Sequence, residues 1–533
     1  MSQDARTIEE QATQRRAGIL GMTYINTAQI AEKPLYKDLM TPQELLEYKV
    51  TPISASEHHI KFGITNNTSN QTMQKLKSKF LDQRVEFGLI SDAGFNDYMK
   101  LYNPPKKIEY QDVKFSGDEK GDLYRQVTST LSQVLADDIL AYLVKQTYQL
   151  KGSDIHLECQ KSAVRVRMRV DGVLHPIAEL SYEKYKQLLS SVAIAANVST
   201  GSGDAQTGHI NKTYQMATGE EVNVNLRVET VPTAYGIDIV MRLFNLNLEL
   251  LKLDNLGLSD KEKAAVDDII KHPSGMVLVV GPTGSGKTTT LYSLISTLNS
   301  PERKIITLED PIEYFMSGIV QIPVAGDQNR EGFAQRLRAV LRLDPDIVMV
   351  GEIRDQDTAK TALQAALTGH LVLTTFHASS AAAALTRMLD AIGVNPLFAS
   401  AMHLVMAQRL VRRLDDSTKQ PYQPDDKLKA QLKTVLDTLP PNVEKPNLDE
   451  VTLYKAAPSE ENPFGYKGQI ALREQLKMTP GVQEMLRLPP NKVTTEALNE
   501  KAVEDGMTTM LHDGILKVIA GETTLEEVYR VVG

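Results

Sequence analysis

A single cysteine, Cys159, stands in a chain of 533 residues, so an internal disulfide and a cysteine-cluster metal site are both excluded. Long apolar runs are missing as well. Stretches such as Met276–Val280 and Ile347–Val350 fall far short of the roughly 20 residues a membrane-crossing helix needs. The opening MSQDARTIEEQATQRRAG has no apolar core, which predicts neither a secretory leader nor an anchor. No long Lys/Arg block occurs, and 59 Lys+Arg against 67 Asp+Glu give a formal net charge of −8, disfavouring a dedicated duplex-DNA binder. Repeats and low-complexity tracts are lacking. What remains is an ordinary globular composition, 42 % hydrophobic and 24 % charged, too apolar for a disordered chain. The length suggests about three or four domains. The whole reads as a cytosolic, multi-domain protein.

Composition shifts divide the chain. Residues 1–102 mix short strands, LGMTYIN (20–26) and HIKFGIT (59–65), with an amphipathic helix, TMQKLKSKFLDQ (72–83). Prolines and mixed charge over 103–121 predict a linker. Residues 122–247 read as a second small α/β domain. It opens on one long helix, TSTLSQVLADDILAYLVKQTYQLKG, expected to stop at Gly152. In AVRVRMRVDGVL (163–174), Val164, Val166, Met168 and Val170 fall on one face and Arg165, Arg167 and Arg169 on the other, and Asp171-Gly172 signals a hairpin. From 248 to 533 strands alternate with helices, the rhythm of βαβ units and a parallel sheet covered on both faces. A Pro- and charge-rich stretch at 415–464, within a lobe reaching about 475, interrupts that rhythm, and a helical tail follows.

The phosphate-binding signal is specific. Gly281-Pro282-Thr283-Gly284-Ser285-Gly286-Lys287-Thr288 fits G-x-x-x-x-G-K-[ST], after the apolar strand Met276–Val280 and before the helical TTTLYSLISTL, which begins with Thr288 and Thr289. Glycines let backbone N–H groups curl around a phosphate, and the following helix presents its positive end to the anion. Lys287 suits the β/γ-phosphates, and the Thr288 hydroxyl can ligate Mg²⁺. Two further strands end in acids: Ile347–Val350 in Gly351-Glu352, and KIITL in Glu309-Asp310. Glu352 can hold Mg²⁺ through water, and Glu309 can orient or deprotonate an attacking water. His370 and His377 flank the strand LVLTTF.

In this order and spacing, GPTGSGKTTTLYS, ITLEDPIEY, RAVLRLDPDIVMVGEIRD and TGHLVLTTFHASSA resemble the secretion-superfamily ATPases of type II secretion and type IV pilus machines. GSDIHLE (152–158), LRVETVPTAYGIDIVMRLF and GYKGQIALRE (465–474) extend the likeness over roughly 120–533. It implies a RecA-like P-loop ATPase domain with a parallel sheet, preceded by two smaller α/β domains. ATP is the implied substrate, with Gly281–Thr289 at the phosphates and Mg²⁺ as cofactor. Glu309 then matches a catalytic glutamate, Glu352 a variant Walker B acid, and His370 and His377 a His box. Arg227 and Arg242 match arginines reaching the γ-phosphate from the second domain. Arg338 and Arg342 match arginines serving a neighbouring subunit, and their i, i+4 spacing predicts one shared helix face. The implied partners are the chain itself, as a hexameric ring, and a platform protein on the inner face of the cytoplasmic membrane.

Two departures from the family pattern stand out. The stretch RLVRRLDDSTKQ lacks the four-cysteine zinc lobe common among assembly ATPases, so zinc is expected to be absent and the 415–464 lobe must hold by packing or move. The counterpart of a basic Pro-Gln-Asp-Gly-like stretch reads SGDAQTGHI (202–210), without its arginine. The length favours pilus extension or type II secretion over retraction. A DNA translocase is the rival from another class, opposed by the acidic balance and the lack of an aromatic-plus-basic track.

Overall fold

The computed structural model describes residues 3–30, 33–102, 120–135, 138–216, 220–244, 251–324, 332–393, 397–459, 462–489 and 492–532. Nearly all of the expected linker at 103–121, and the boundary expected at 247/248, lie outside the described residues. The chain separates into two compact units, 1–109 and 110–533.

In the first unit a four-stranded sheet runs in the order Thr23–Tyr24, Arg84–Leu89, His59–Ile64, Val50–Ala55. Its core gathers Phe62, Tyr98, Leu45 and Leu76, the last on the helix Asn70–Lys79. The strand expected at 20–26 shrinks to Thr23–Tyr24.

The second unit carries two large sheets. One is an antiparallel six-stranded sheet ordered Val173–Leu180, Val164–Val170, Gly152–Cys159, Gly236–Phe244, Glu221–Thr233, Gln206–Gln215. The alternation over 164–170 is realised: the four apolar side chains are buried, while Arg165 and Arg167 reach Glu158 and Arg169 reaches Asp154. Asp171 and Gly172 both take positive φ, as a tight hairpin requires. The single long helix expected before this sheet is two, Lys120–Gln133 and Ile139–Gln149, with Asp138 at the second N-cap. The apolar period runs on through a stretch where the helix does not, and Asp138 makes no side-chain cap hydrogen bond there. Gly152 opens a strand instead of closing that helix, and a Cβ there would lie 2.7 Å from Thr147 Cγ2.

The other sheet positions the site. Its seven strands run Val320–Pro323, Ile305–Glu309, Ile347–Val350, Leu371–Phe376, Gly275–Val280, Met402–Leu414, Tyr466–Lys477, parallel except for the last. Every residue of Gly275–Val280, Ile305–Glu309, Ile347–Val350 and Leu371–Phe376 is buried. Helices cover both faces: Met276, Leu278 and Val280 join one core while Val277 and Val279 join the other.

The lobe at 415–464 holds by packing. A two-stranded sheet, Gln420–Tyr422 with Leu453–Lys455, and the helix Asp426–Leu436 with the turn after it send Leu453, Leu432, Leu436 and Leu439 into the main core. At its base Asn462 Nδ2 donates to Asp415 Oδ2 at 2.9 Å and Ser417 Oγ to Asp415 Oδ1 at 2.6 Å. Hydrogen bonds from Ser417 and then Asn462 pull the Asp415 carboxyl down to about 2. A folded value below the unfolded one stabilises above roughly pH 4, and that contribution fades as pH falls toward about 2. Leu432→Ala is expected to remove about 2–5 kcal/mol of stability, while EDTA leaves the melting curve unchanged. Denaturant titration with and without chelator checks both.

Candidate functional site

The strand Gly275–Val280 ends in the sheet interior, and the chain turns at once through Gly281–Gly286 into the helix Lys287–Leu298. Gly281 needs its absent side chain: with φ +153, a Cβ would sit 2.5 Å from Ser285 Oγ and 2.6 Å from the Gln408 carbonyl oxygen. Pro282, Thr283, Gly284 and Thr288 face solvent, and Thr289 is half-buried. The Ser285 hydroxyl is buried without a protein partner. Lys287 is folded back onto its own loop, donating to the carbonyl oxygens of Gly281 and Pro282, each at 2.9 Å. Desolvation holds the Lys287 ammonium below its usual value, Glu352 opposes that shift and Arg409 adds to it. A loop with an orphaned buried hydroxyl, a collapsed lysine and glycines at its closest approaches fits a phosphate group.

Gln408 was not legible from sequence. Only 1 % exposed, it donates from Nε2 to the Ser285 carbonyl at 2.6 Å and accepts from Thr290 Oγ1 at 3.0 Å. Its signal was a lone carboxamide in an otherwise apolar stretch, LVMAQ.

Two strand-end acids stand at the carboxyl edge of the same sheet. Glu309 is 3 % exposed; Oε1 accepts from Thr307 Oγ1 at 2.6 Å and Gln321 Nε2 at 3.1 Å, and Oε2 from the Tyr292 hydroxyl. Burial, then the hydrogen bond to Glu309, pushes the Tyr292 phenol well above its usual value, so it remains a donor. Glu352 pairs with Arg354 and lies 3.3 Å from His377 Nε2; Arg354 also reaches Asp310 at 3.5 Å. His377 thus meets Glu352. His370 does not: it precedes the strand Leu371–Phe376 at the opposite, amino edge, where Nδ1 lies 3.0 Å from the Ala365 carbonyl. The strand's length separates the two histidines.

Register brings Arg227 and Arg242 together. They are cross-strand partners between Glu221–Thr233 and Gly236–Phe244. Arg227 Nε donates to Glu229 at 2.8 Å and Arg242 Nε to Asp154 at 2.9 Å. Both act on Glu313, four residues past Glu309 in the chain: burial raises that carboxyl, and Arg242 and then Arg227 pull it back. Arg338 and Arg342 are exposed but do not share one α-helical face. The helix Phe333–Val340 ends between them, and Arg342 sits on a tight 3₁₀ turn, Leu341–Leu343.

A parallel sheet with a phosphate loop at its carboxyl edge and acids on neighbouring strands is the layout of a nucleotide-binding ATPase. The sequence profile described as Type II/IV secretion system protein matches residues 130–530. The chain belongs to this secretion ATPase family, and membership implies ATP hydrolysis. It is 39 % identical over 416 residues to the type II secretion system protein E of Pseudomonas aeruginosa, covering 78 % of each chain. It is 31 % identical over 528 residues to the type IV pilus assembly ATPase PilB of the same species, covering 96 % of this chain and 88 % of that one. The fold resembles the Legionella pneumophila ATPase DotB with a TM-score of 0.53, 23 % identity and coverage of 75 % and 96 %. Among the described residues no helix is long and apolar enough to cross a membrane.

Gly281→Ala is expected to weaken nucleotide binding at least about tenfold and to lower the melting temperature, because the added Cβ meets both Ser285 Oγ within the loop and the Gln408 carbonyl on a core strand. Fluorescent-nucleotide titration beside a thermal melt reads both.

Proposed function

We propose that this protein is the ATP-hydrolysing motor of type IV pilus extension, acting as a hexameric ring on an inner-membrane platform protein. The observation that carries the reading is the phosphate loop beside two acid-tipped strands, in a chain that also brings two arginines together by register. Arg227 and Arg242, fifteen residues apart in sequence, are side by side and act on Glu313, just past the acid-tipped strand Ile305–Glu309.

The chemistry follows from these groups. Bound triphosphate would draw Lys287 off the Gly281 and Pro282 carbonyls and onto the β/γ-phosphates. Thr288 and Glu352 are the residues that would hold Mg²⁺, which would supply positive charge where the phosphates develop negative charge. Glu309 orients or deprotonates water: its Oε1 already accepts from Thr307 and Gln321, whereas among the described residues Oε2 accepts only from Tyr292 and keeps a lone pair for the proton. Arg227 and Arg242 read the γ-phosphate with planar, permanently charged forks. Loss of that phosphate removes the contacts that favour the closed arrangement, so the RecA-like lobe and the second lobe swing apart. Exposed Arg338 and Arg342 suit a neighbour's nucleotide, and a head-to-tail interface of this kind closes into a ring.

Type II secretion is the second reading, supported by the relative at 39 % identity. Deletion decides among machines: lost surface pili mean extension, hyperpiliation means retraction, and intact pili with lost enzyme export mean type II secretion. For the chemistry, Glu309→Gln is expected to cut the ATPase rate about 10²–10⁴-fold while nucleotide affinity stays within about threefold. An unchanged rate would assign the base elsewhere. Solution scattering should show a nucleotide-dependent change of lobe orientation that Arg227→Ala and Arg242→Ala abolish.

A further inference from the structure

Register lines up one row of charge across five strands of the antiparallel sheet. Arg169, Asp154, Arg242, Arg227 and His209 are successive cross-strand partners. Arg242 and Arg227 therefore stand directly opposite each other, an arrangement that destabilises a sheet unless the repulsion is offset. Asp154 is the one acid in that row. It is 3 % exposed, although the core takes its neighbour Ile155 on the other face. A carboxylate tolerates such burial only when it is paired and hydrogen-bonded.

The two oxygens of Asp154 divide their partners. Oδ2 accepts from Ser153 Oγ at 2.7 Å and lies 3.3 Å from Arg169 Nε. Arg169 is itself tied to the hairpin turn, its Nη1 donating to the Gly172 carbonyl at 3.1 Å. Oδ1 takes the Arg242 Nε, at 2.9 Å. The carboxylate is thus fixed from one side and offers its other oxygen to Arg242.

The same sheet holds arginines in two different ways. Arg165 and Arg167 each place Nε and Nη2 together on one oxygen of Glu158, a closed pairing that leaves little for a ligand. Arg242 and Arg227 place Nε alone, on Asp154 and Glu229. Among the described residues their Nη groups meet no protein acceptor, and more than half of the Arg242 side chain is exposed. A grip on Nε fixes the guanidinium plane and leaves both Nη groups as an open fork. That fork matches two phosphate oxygens.

We propose, on the reading that Arg242 meets the γ-phosphate, that Asp154 is the positioning residue for that contact. It holds Arg242 by Nε, so the free fork is ordered before ATP arrives. A long, exposed arginine otherwise loses its rotamer freedom at the moment of binding, and that loss is subtracted from the affinity. Glu229 holds Arg227 in the same manner from a more exposed position.

The test compares the affinities of the full chain for a non-hydrolysable ATP analogue and for ADP, by calorimetric titration with Mg²⁺ present. Arg242→Ala should lower the analogue-to-ADP affinity ratio at least about tenfold. An unchanged ratio there removes the γ-phosphate role of Arg242, and the role of Asp154 with it. Asp154→Ala should lower the ratio at least about tenfold, and Asp154→Asn, which keeps an acceptor oxygen in the same volume, about threefold. Affinity for ADP stays within about twofold in each. Asp154→Asn decides the matter if the alanine variant does not fold. Added to Arg242→Ala, it should change the ratio no further. A ratio that stays put in Asp154→Asn while the melting temperature and both affinities fall together overturns the proposal. So does an Asp154→Asn effect that persists undiminished once Arg242 is gone.

Discussion

One buried carboxamide ties the nucleotide site to the rest of the sheet. Gln408 bonds both the loop, through the Ser285 carbonyl, and the helix that follows it, through Thr290, across more than a hundred residues of sequence. A phosphate loop works only if its N–H groups are pre-aimed, since reorganising them at the moment of binding would consume the affinity they provide. Glycine supplies the curvature, but glycine alone leaves the loop many conformations. A buried amide hydrogen-bonded at both its nitrogen and its oxygen selects one of them, because leaving either bond unmade would cost roughly 1–3 kcal/mol.

Around that fixed loop the ionisable groups sit in substitute partnerships. Lys287 rests on two carbonyls, Glu352 on Arg354 and His377, Arg242 on Asp154, Arg227 on Glu229. On the proposed reading, a bound triphosphate would exchange or extend these partnerships instead of desolvating bare charges.

Much of this was legible in the sequence, and what was not has a common cause. The loop, the two acid-tipped strands and the alternating strand 164–170 declare themselves because their meaning lies in contiguous residues. Gln408, Tyr292 and Arg354 acquire theirs only from the fold: Gln408 meets Ser285 at a separation of 123 residues, and Tyr292 meets Glu309 from a neighbouring helix. Arg227 and Arg242 were assigned by resemblance, and only register shows that they adjoin. Periodicity misled twice. It carried one helix through Asp138, and it gave Arg338 and Arg342 a shared α-helical face although the helix ends between them. Apolar spacing says which face is buried, whereas caps and 3₁₀ turns decide where the helix stops.

The same magnitudes bear on how freely the two lobes of the second unit can swing. Beyond the arginine pair, the tip of the hairpin at Asp171-Gly172 meets the segment 462–468: the Gly468 N–H donates to Asp171 Oδ2 at 3.1 Å, and His175 stacks on Phe464 with centroids 3.9 Å apart. A hydrogen bond and a ring pair of this kind are each worth about 0.5–1.5 kcal/mol. Driving a two-state equilibrium from 1:99 to 99:1 takes about 5.5 kcal/mol of differential affinity. Together these two contacts contribute about 1–3 kcal/mol, little enough that, on the proposed reading, a ligand gripping the two lobes unequally would overcome them. A large apolar interface would oppose the swing proposed above far more strongly than a hydrogen bond and a ring pair do.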